Sequence, residues 1–124
     1  GEVFQGFMIA KDRDHAERLL EDYARRDYLI VQPQRQRPGW RVDFEIYAWG
    51  YGHNGTPAGW RTLIIECDGH DFHERTKEQA KRDRSRDRDA QMEGATVFRF
   101  TGAELYRDSW DCASRVIDWA MRGI

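Results

Sequence analysis

The secondary structure of this chain is best worked out from LIIECDGH, residues 63–70, where an apolar run ends in alternating carboxylates. Leu63–Ile65 is typical of a buried strand, and Glu66 and Asp68 follow where that strand leaves the sheet. An ionised carboxylate that is buried without a partner is costly, so such groups are usually paired or bound to a metal. The sequence therefore predicts a central strand over 61–68 with an acidic site at its end.

A second carboxylate, Asp43, lies in VDF, residues 42–44, inside a strand-like run from Trp40 to Trp49. Side chains alternate between the two faces of a strand, so one face would carry Val42, Phe44, Ile46 and Ala48, and the other Asp43, Glu45, Tyr47 and Trp49. If the two strands are neighbours, Asp43 and Glu66 can converge on one divalent cation. Such an arrangement supports hydrolysis of phosphodiester bonds.

Length and composition limit the class of protein. A chain of 124 residues with 40% hydrophobic and 13% aromatic residues is expected to form one domain with a modest core. Its apolar runs are shorter than the ~20 residues of a membrane helix, so we expect no membrane partner. The net charge of −2 gives no general attraction to nucleic acid, and a nuclease with this balance needs a local basic face.

The two cysteines and the first residue bear on where the protein acts. Cys67 lies in the apolar strand and Cys112 near the last helix, and we expect two buried thiols and a cytoplasmic protein. The chain begins with Gly1 rather than Met, which indicates a processed chain or a domain excised from a larger protein.

The remaining elements follow from periodicity and turn residues. We expect, in chain order, a helix over 12–26 capped by Asp12 or Asp14, strands over 28–32 and 41–49, a loop over 50–59, the strand over 61–68, a helix over 74–93 ended by Gly94, a strand over 95–100, and one or two helices over 103–121. The core candidates of that last segment are Leu105, Trp110, Val116, Ile117 and Trp119. The order α-β-β-β-α-β-α predicts an α/β domain with a central mixed four-stranded sheet flanked by helices.

The helix over 74–93 has two charged faces. Ala80, Asp83, Asp87 and Ala90 share the face expected to pack, so its aspartates need partners, and Arg99 on the next strand is one candidate. Lys77, Lys81, Arg84 and Arg88 share another face at spacings of four, three and four. This second face is either a solvated helix surface with weak ion pairs or a ridge that follows phosphates. Pro33 and Pro38 bracket a basic loop, and the candidates for nucleic-acid contacts are Arg35, Arg37, Lys81 and Arg84.

Several short motifs resemble, in order and spacing, the PD-(D/E)XK or restriction-endonuclease-like superfamily. Within it they resemble the small endonuclease domains of the DUF559 and very-short-patch-repair branch. The motifs are AERLL at 16–20, VDF at 42–44, IECDG at 65–69 followed by His73, RD at 82–83 and at 86–87, and VFRF at 97–100. The resemblance implies a restriction-endonuclease-like core in a single nuclease-like domain over 1–124. It also implies cleavage of DNA with Mg²⁺ or Mn²⁺.

The resemblance assigns roles to individual residues. Asp43 and Glu66 are similar to the two acidic metal ligands of the family, and the backbone carbonyl of Cys67 would complete the protein's share. Glu17 resembles the helix glutamate that lies near the metal. Gln79 stands where relatives orient the scissile phosphate. Oxygen ligands of this kind suit Mg²⁺, which keeps several waters.

The chain departs from the family at Asp68, because the superfamily lysine should stand two residues after Glu66. A lysine would orient the attacking water and offset charge on the phosphate, which an aspartate cannot do. Three interpretations stay open: Asp68 is a further metal ligand, the positive role moves to Lys77, or His73 acts as acid or base.

Other interpretations of the same residues compete with the nuclease. Asp43 and Glu66 can belong to a buried salt-bridge network with Arg99 or Arg41, and Cys67-x-x-His70-x-x-His73 can contribute to a zinc site. A non-catalytic domain that binds nucleic acid or a protein is also consistent with Asp68 in place of lysine. Specificity in a domain this small can come from a homodimer or from an additional domain.

Overall fold

A computed structural model describes residues 4–52, 57–68 and 76–122. Its strands are Gly6–Ile9 (β1), Tyr28–Pro33 (β2), Gln36–Arg37 (β3), Trp40–Arg41 (β4), Phe44–Gly50 (β5), Gly59–Asp68 (β6) and Thr96–Thr101 (β7). Its helices are Arg13–Asp22 (α1), Lys77–Met92 (α2), Gly102–Arg107 (α3) and Ser109–Met121 (α4). In this part of the chain, no helix has the length and apolar character needed to cross a membrane.

A mixed five-stranded sheet in the order β1-β2-β5-β6-β7 forms the centre of the fold, and β3 and β4 form a separate hairpin. The pairs β2–β5 and β5–β6 are antiparallel, whereas β1–β2 and β6–β7 are parallel. Parallel neighbours need a crossover, and α1 and α2 lie in the two crossover connections. The antiparallel centre places the start of β5 beside the end of β6.

The two faces of the sheet carry different helices. Ile30 and Tyr47 belong to one buried cluster with α1 residues, and Ile64 clusters with Ala90 of α2. The strand residues that point the other way, Leu29, Ile46, Ala48, Leu63, Ile65 and Phe100, cluster with Cys112, Trp119 and Ala120 of α4. Because side chains alternate along a strand, α1 and α2 cover one face and α4 covers the other.

Local sequence signals set the helix ends. The Asp12 side chain accepts a hydrogen bond from His15 N and caps α1, as predicted. Thr76 and Gln79 form a reciprocal capping box at the start of α2. After α2, Gly94 has a φ of 93°, a left-handed conformation that glycine adopts without strain, so the predicted helix end is confirmed.

The predicted α/β class and the mixed sheet are confirmed, but the prediction of four strands is wrong. The sheet has five strands, because Gly6–Ile9 pairs with β2 at one edge. The loop predicted around Arg35 and Arg37 contains the β3–β4 hairpin. Both differences concern very short strands, whose pairing depends on tertiary partners more than on local pattern.

Two helices follow β7, as predicted, but two of their core assignments are wrong. Trp119 is buried at 7% exposure, and Leu105 and Val116 pack partly buried against the same cluster. Trp110 and Ile117 are 83% and 47% exposed. These two side chains lie on the solvent side of α4. The helix has apolar residues on two faces, and one face packs against the sheet.

A buried carboxylate ties the β3–β4 hairpin to the sheet. Glu45 is 0% exposed and accepts hydrogen bonds from Arg35, Arg37 and the Tyr47 hydroxyl. Burial alone would raise the pKa of Glu45, but the hydrogen bonds from Tyr47 and the two arginines outweigh it and lower this pKa. Arg37 also donates to Glu93 beyond α2, at 2.8 Å. The network therefore connects the hairpin, β5 and the end of α2.

The same hairpin fixes the backbone on both sides of Asp43. Gln34 N donates to the carbonyl of Asp43 at 2.8 Å, and Val42 N donates to the carbonyl of Arg35 at 3.0 Å. These bonds hold the segment that enters β5, and with it the position of the Asp43 side chain.

We expect Glu45→Gln to lower the free energy of unfolding by about 3 kcal/mol, because two arginines lose their buried countercharge. Glu93→Gln, which removes the exposed partner of Arg37, should cost less than about 1 kcal/mol. Urea unfolding of the two variants measures both values. Equal costs would contradict the structural importance of the buried carboxylate.

Candidate functional site at one end of the sheet

Two carboxylates meet where β5 begins and β6 ends. Phe44 pairs with Ile65 in the antiparallel register, so Asp43 and Glu66 are the next opposed positions. The Asp43 side chain accepts a hydrogen bond from Cys67 N at 2.7 Å, which holds its carboxylate against the end of β6. The two strands are therefore neighbours, which is the condition that the sequence set for Asp43 and Glu66 to converge.

Glu66 is the most perturbed acid of the site. Burial and the neighbouring Asp43 carboxylate raise the pKa of Glu66 to about 7, against a weaker opposing effect of Arg99. Its Oε1 atom is buried and accepts no hydrogen bond in the structure. At neutral pH this position therefore favours a proton or a cation on the carboxylate.

Arg99 brings a positive charge next to these acids, on the neighbouring strand β7. It lies opposite Glu66 on β7 and donates to both oxygens of Asp87, at 2.9 and 2.8 Å. Its guanidinium is also 3.5 Å from Asp68. The hydrogen bonds to Asp87 raise the pKa of Arg99 further. The predicted partnership between α2 and Arg99 is confirmed for Asp87.

The ion pairs of Arg99 leave Asp43 and Glu66 outside any salt bridge among residues 4–52, 57–68 and 76–122. Arg41, the other cation considered for such a network, is exposed. The described residues therefore give the salt-bridge interpretation of Asp43 and Glu66 no ion pair, and Arg99 pairs instead with Asp68 and Asp87. The contact between Arg99 and Asp68 was not predicted, although parallel pairing of the two strands could have indicated it.

The donor atoms at this end of the sheet are those a hard cation prefers. Asp43 and Glu66 offer carboxylate oxygens, Cys67 a backbone carbonyl, and Asp68 a carboxylate that lies against Arg99. No group of three or more His, Cys, Asp or Glu side chains fit to hold a metal occurs in the described ranges. The types of donor atom suit a hard cation, and among the described residues Asp43 and Glu66 are the two carboxylates at this sheet end that lie outside the ion pairs of Arg99.

The other predicted catalytic residues differ in how the structure places them. Glu17 is exposed and its carboxylate lies 3.3 Å from Arg13 on α1. Lys77 is exposed in the first turn of α2, where Gln79 uses its side-chain oxygen to accept from Thr76 N. His73 and His70 lie outside the described residues, so their roles and the zinc site stay predictions.

The four predicted nucleic-acid contacts fall into two pairs. The guanidinium groups of Arg35 and Arg37 are bound to Glu45, and Arg37 also to Glu93. Lys81 and Arg84 are exposed on α2. Only the second pair presents charge that is not already balanced by a carboxylate in this structure.

The perturbed pKa of Glu66 has a consequence for stability. Between its ordinary value of 4.5 and about 7, the folded state holds a proton that the unfolded state has released, so stability falls as pH rises through this range. The unaltered protein should therefore lose stability from pH 5 to pH 8, whereas Glu66→Gln should not. In metal-free buffer we expect the free energy of unfolding of Glu66→Gln, relative to that of the unaltered protein, to rise by about 1–2 kcal/mol over this range. Urea unfolding across this pH range measures the gain.

Glu21→Gln, an exposed change on α1, serves as the control and should show no such gain. If the free energies of unfolding of Glu66→Gln and of the unaltered protein differ by the same amount at pH 5 and at pH 8, the pKa of Glu66 is not raised.

Comparison of the chain with known protein families, with curated proteins and with solved structures finds no match. The family resemblance of the short motifs therefore stays a prediction.

Proposed function

We propose that this chain is a Mg²⁺-dependent DNA endonuclease with a restriction-endonuclease-like core. The observation that carries the proposal is the pairing of Asp43 with Glu66, whose buried Oε1 atom has no hydrogen-bond partner and whose pKa is raised to about 7. Perturbed acids that meet at a sheet end are typical of sites that bind a cation or move protons.

The proposed cation would be held by Asp43, Glu66 and the backbone carbonyl of Cys67, with Asp68 as a further ligand. A bound Mg²⁺ or Mn²⁺ would lower the pKa of a water ligand and offset negative charge on the scissile phosphate. Asp68 contacts Arg99 at 3.5 Å, so its recruitment as a ligand requires loss of that ion pair. We therefore propose Asp43 and Glu66 as the main ligands.

The remaining chemistry falls to residues around the start of α2. The side-chain nitrogen of Gln79 is not used by the capping box and is proposed to orient the phosphate. Lys77, two residues before it, is proposed to offset transition-state charge that the family lysine would otherwise offset. His73 is proposed to move a proton, and Glu17 to lie near the cation.

The partner in this proposal is DNA, and the setting is the cytoplasm. Recognition of a particular sequence would come from a homodimer or from an additional domain of a longer protein. The α/β sheet described above supplies the rigid support that such a site needs.

A non-catalytic domain that binds nucleic acid or a protein is the second candidate. One observation favours it: Asp68 occupies the position expected for lysine and is held by Arg99. In that case the acids at the sheet end would only stabilise or regulate the domain.

We expect the protein to nick supercoiled plasmid or to cut single-stranded DNA with Mg²⁺ or Mn²⁺, and to do neither in EDTA. Asp43→Asn and Glu66→Gln should each lower the cleavage rate by about 100-fold or more, because each removes a ligand charge. Agarose and denaturing gels with both substrates measure the rates.

Asp89→Asn, which removes an exposed carboxylate of α2, is the matched control and should cleave normally. Folded, metal-loaded protein that leaves both substrates intact would favour the non-catalytic candidate.

Cation binding can be tested without any substrate. Because Mg²⁺ would bind only the folded state, a concentration ten times its Kd adds about 1.4 kcal/mol and raises Tm by about 3–6 °C. We expect this shift in the unaltered protein and in Asp89→Asn, and its loss in the double variant Asp43→Asn/Glu66→Gln. An equal shift in all three would place the cation elsewhere.

A further inference from the structure

The outer surface of α2 carries a straight row of four basic side chains, here called the α2 ridge: Lys77, Lys81, Arg84 and Arg88. Spacings of four, three and four keep them on one side of the helix. At 1.5 Å per residue the row extends over about 16 Å. All four side chains are exposed.

The ridge cations are not used by the fold. Among the described residues, none of the four makes an ion pair or hydrogen bond through its side chain, whereas the acids on the packed side of α2 are engaged. Asp87 binds Arg99, and Asp83 lies 3.9 Å from Arg86. The two aspartates on the packed side of α2 are thus paired, whereas the four ridge cations are exposed together with Glu78 and Asp89.

The interpretation of the ridge as a helix surface with internal ion pairs loses support from these contacts. Glu78 and Asp89 are exposed on α2 but are not within ion-pair distance of the four cations. The acids of the same helix therefore offset the ridge charges only from a distance, and the ridge keeps its exposed positive charge.

The chemistry of the exposed side of α2 indicates the class of partner. Its exposed residues from Thr76 to Gln91 are polar or charged, and only Met92 at the end is a large apolar side chain. A protein interface usually needs buried aromatic or aliphatic anchors, and a membrane-bound helix needs an apolar face. A row of cations without apolar anchors suits a polyanion.

We infer that the α2 ridge binds the phosphate backbone of a nucleic-acid strand and leads that strand toward the acids at the end of β6. This inference rests on the proposed function, whose substrate path it specifies. Lys77 stands at the end of the ridge that follows β6 along the chain, so the ridge starts on the connection that leaves Glu66 and Asp68. Repulsion between those acids and phosphate makes such a positive path useful.

The test is fluorescence anisotropy of labelled single-stranded and duplex DNA in EDTA, at several salt concentrations. The unaltered protein should bind with an affinity that falls steeply with salt, with a slope of about −0.7 to −0.9 per phosphate contact. Replacing all four ridge residues by Gln should lower affinity at least about 30-fold and make the slope shallower by two to four units.

The matched control replaces Lys11, Arg18, Arg25 and Arg107 by Gln, four exposed cations outside the ridge. This control should bind almost as tightly as the unaltered protein and keep its salt slope. Equal losses in both variants would reduce the effect to net charge and overturn the inference. Unchanged DNA binding in the ridge variant, with lost binding to anionic phospholipid vesicles, would assign the ridge to a membrane instead.

Binding in EDTA separates this inference from the proposed enzyme. Glu66→Gln should bind DNA at least as well as the unaltered protein, because it removes a negative charge near the path. A ridge that binds DNA in a protein without nuclease activity would support the inference and refute only the enzyme. Cleavage that survives in the ridge variant with unchanged affinity would refute the ridge and the proposed role of Lys77, but not the cation site.

Discussion

The candidate site depends above all on the register of the antiparallel pair β5–β6. A shift by one residue would turn every side chain of β5 to the opposite face, and would move the buried Glu45 and Tyr47 to the face that α4 covers. The register is enforced from both sides, because β5 lies between β2 and β6 and its residues pack into clusters on both faces. The Glu45 network adds a third constraint, since only this register brings that carboxylate to the arginines of the β3–β4 hairpin.

The charge around the end of the sheet depends on which carboxylates the arginines bind. Arg35 and Arg37 compensate Glu45, and Arg99 compensates Asp87 and contacts Asp68. These pairs stabilise the hairpin and α2, and within residues 4–52, 57–68 and 76–122 they leave Asp43 and Glu66 without a bound guanidinium. The result is a locally negative end of the sheet beside a locally positive helix, in a chain whose net charge is only −2.

Sequence reasoning succeeded where one local pattern determined the outcome. The 3.6-residue period placed Asp87 on the packed side of α2, and the next strand then offered Arg99 as its partner. The alternation around Asp43 and the acidic end of the following strand identified two carboxylates that converge once the two strands pair, as they do.

Sequence reasoning failed where contacts between residues distant in the chain determine the structure. Gly6–Ile9 becomes a strand because it pairs with the edge of β2. Its Phe7 and Ile9 side chains remain exposed, so the hydrophobic pattern of the sequence does not predict this strand. Glu45 is buried because a hairpin returns two arginines to it. α4 is apolar on two sides, and periodicity cannot say that Trp119 packs while Trp110 does not. For the acids, the sequence located the carboxylates, but the unpartnered oxygen of Glu66 became visible only in three dimensions.

The order of strands in the sheet has a consequence for how the protein folds. The five strands lie side by side in the order in which they occur along the chain, and of their four pairings the antiparallel β5–β6 pair closes over the shortest connection. The β5–β6 hairpin would zip from Gly50 and Gly59 at its turn toward Phe44 and Ile65 at its open end. Its final step brings two carboxylates together, so the last rungs of the ladder close against electrostatic repulsion. A proton or a divalent ion that relieves this repulsion would speed the completion of folding as well as stabilise its product.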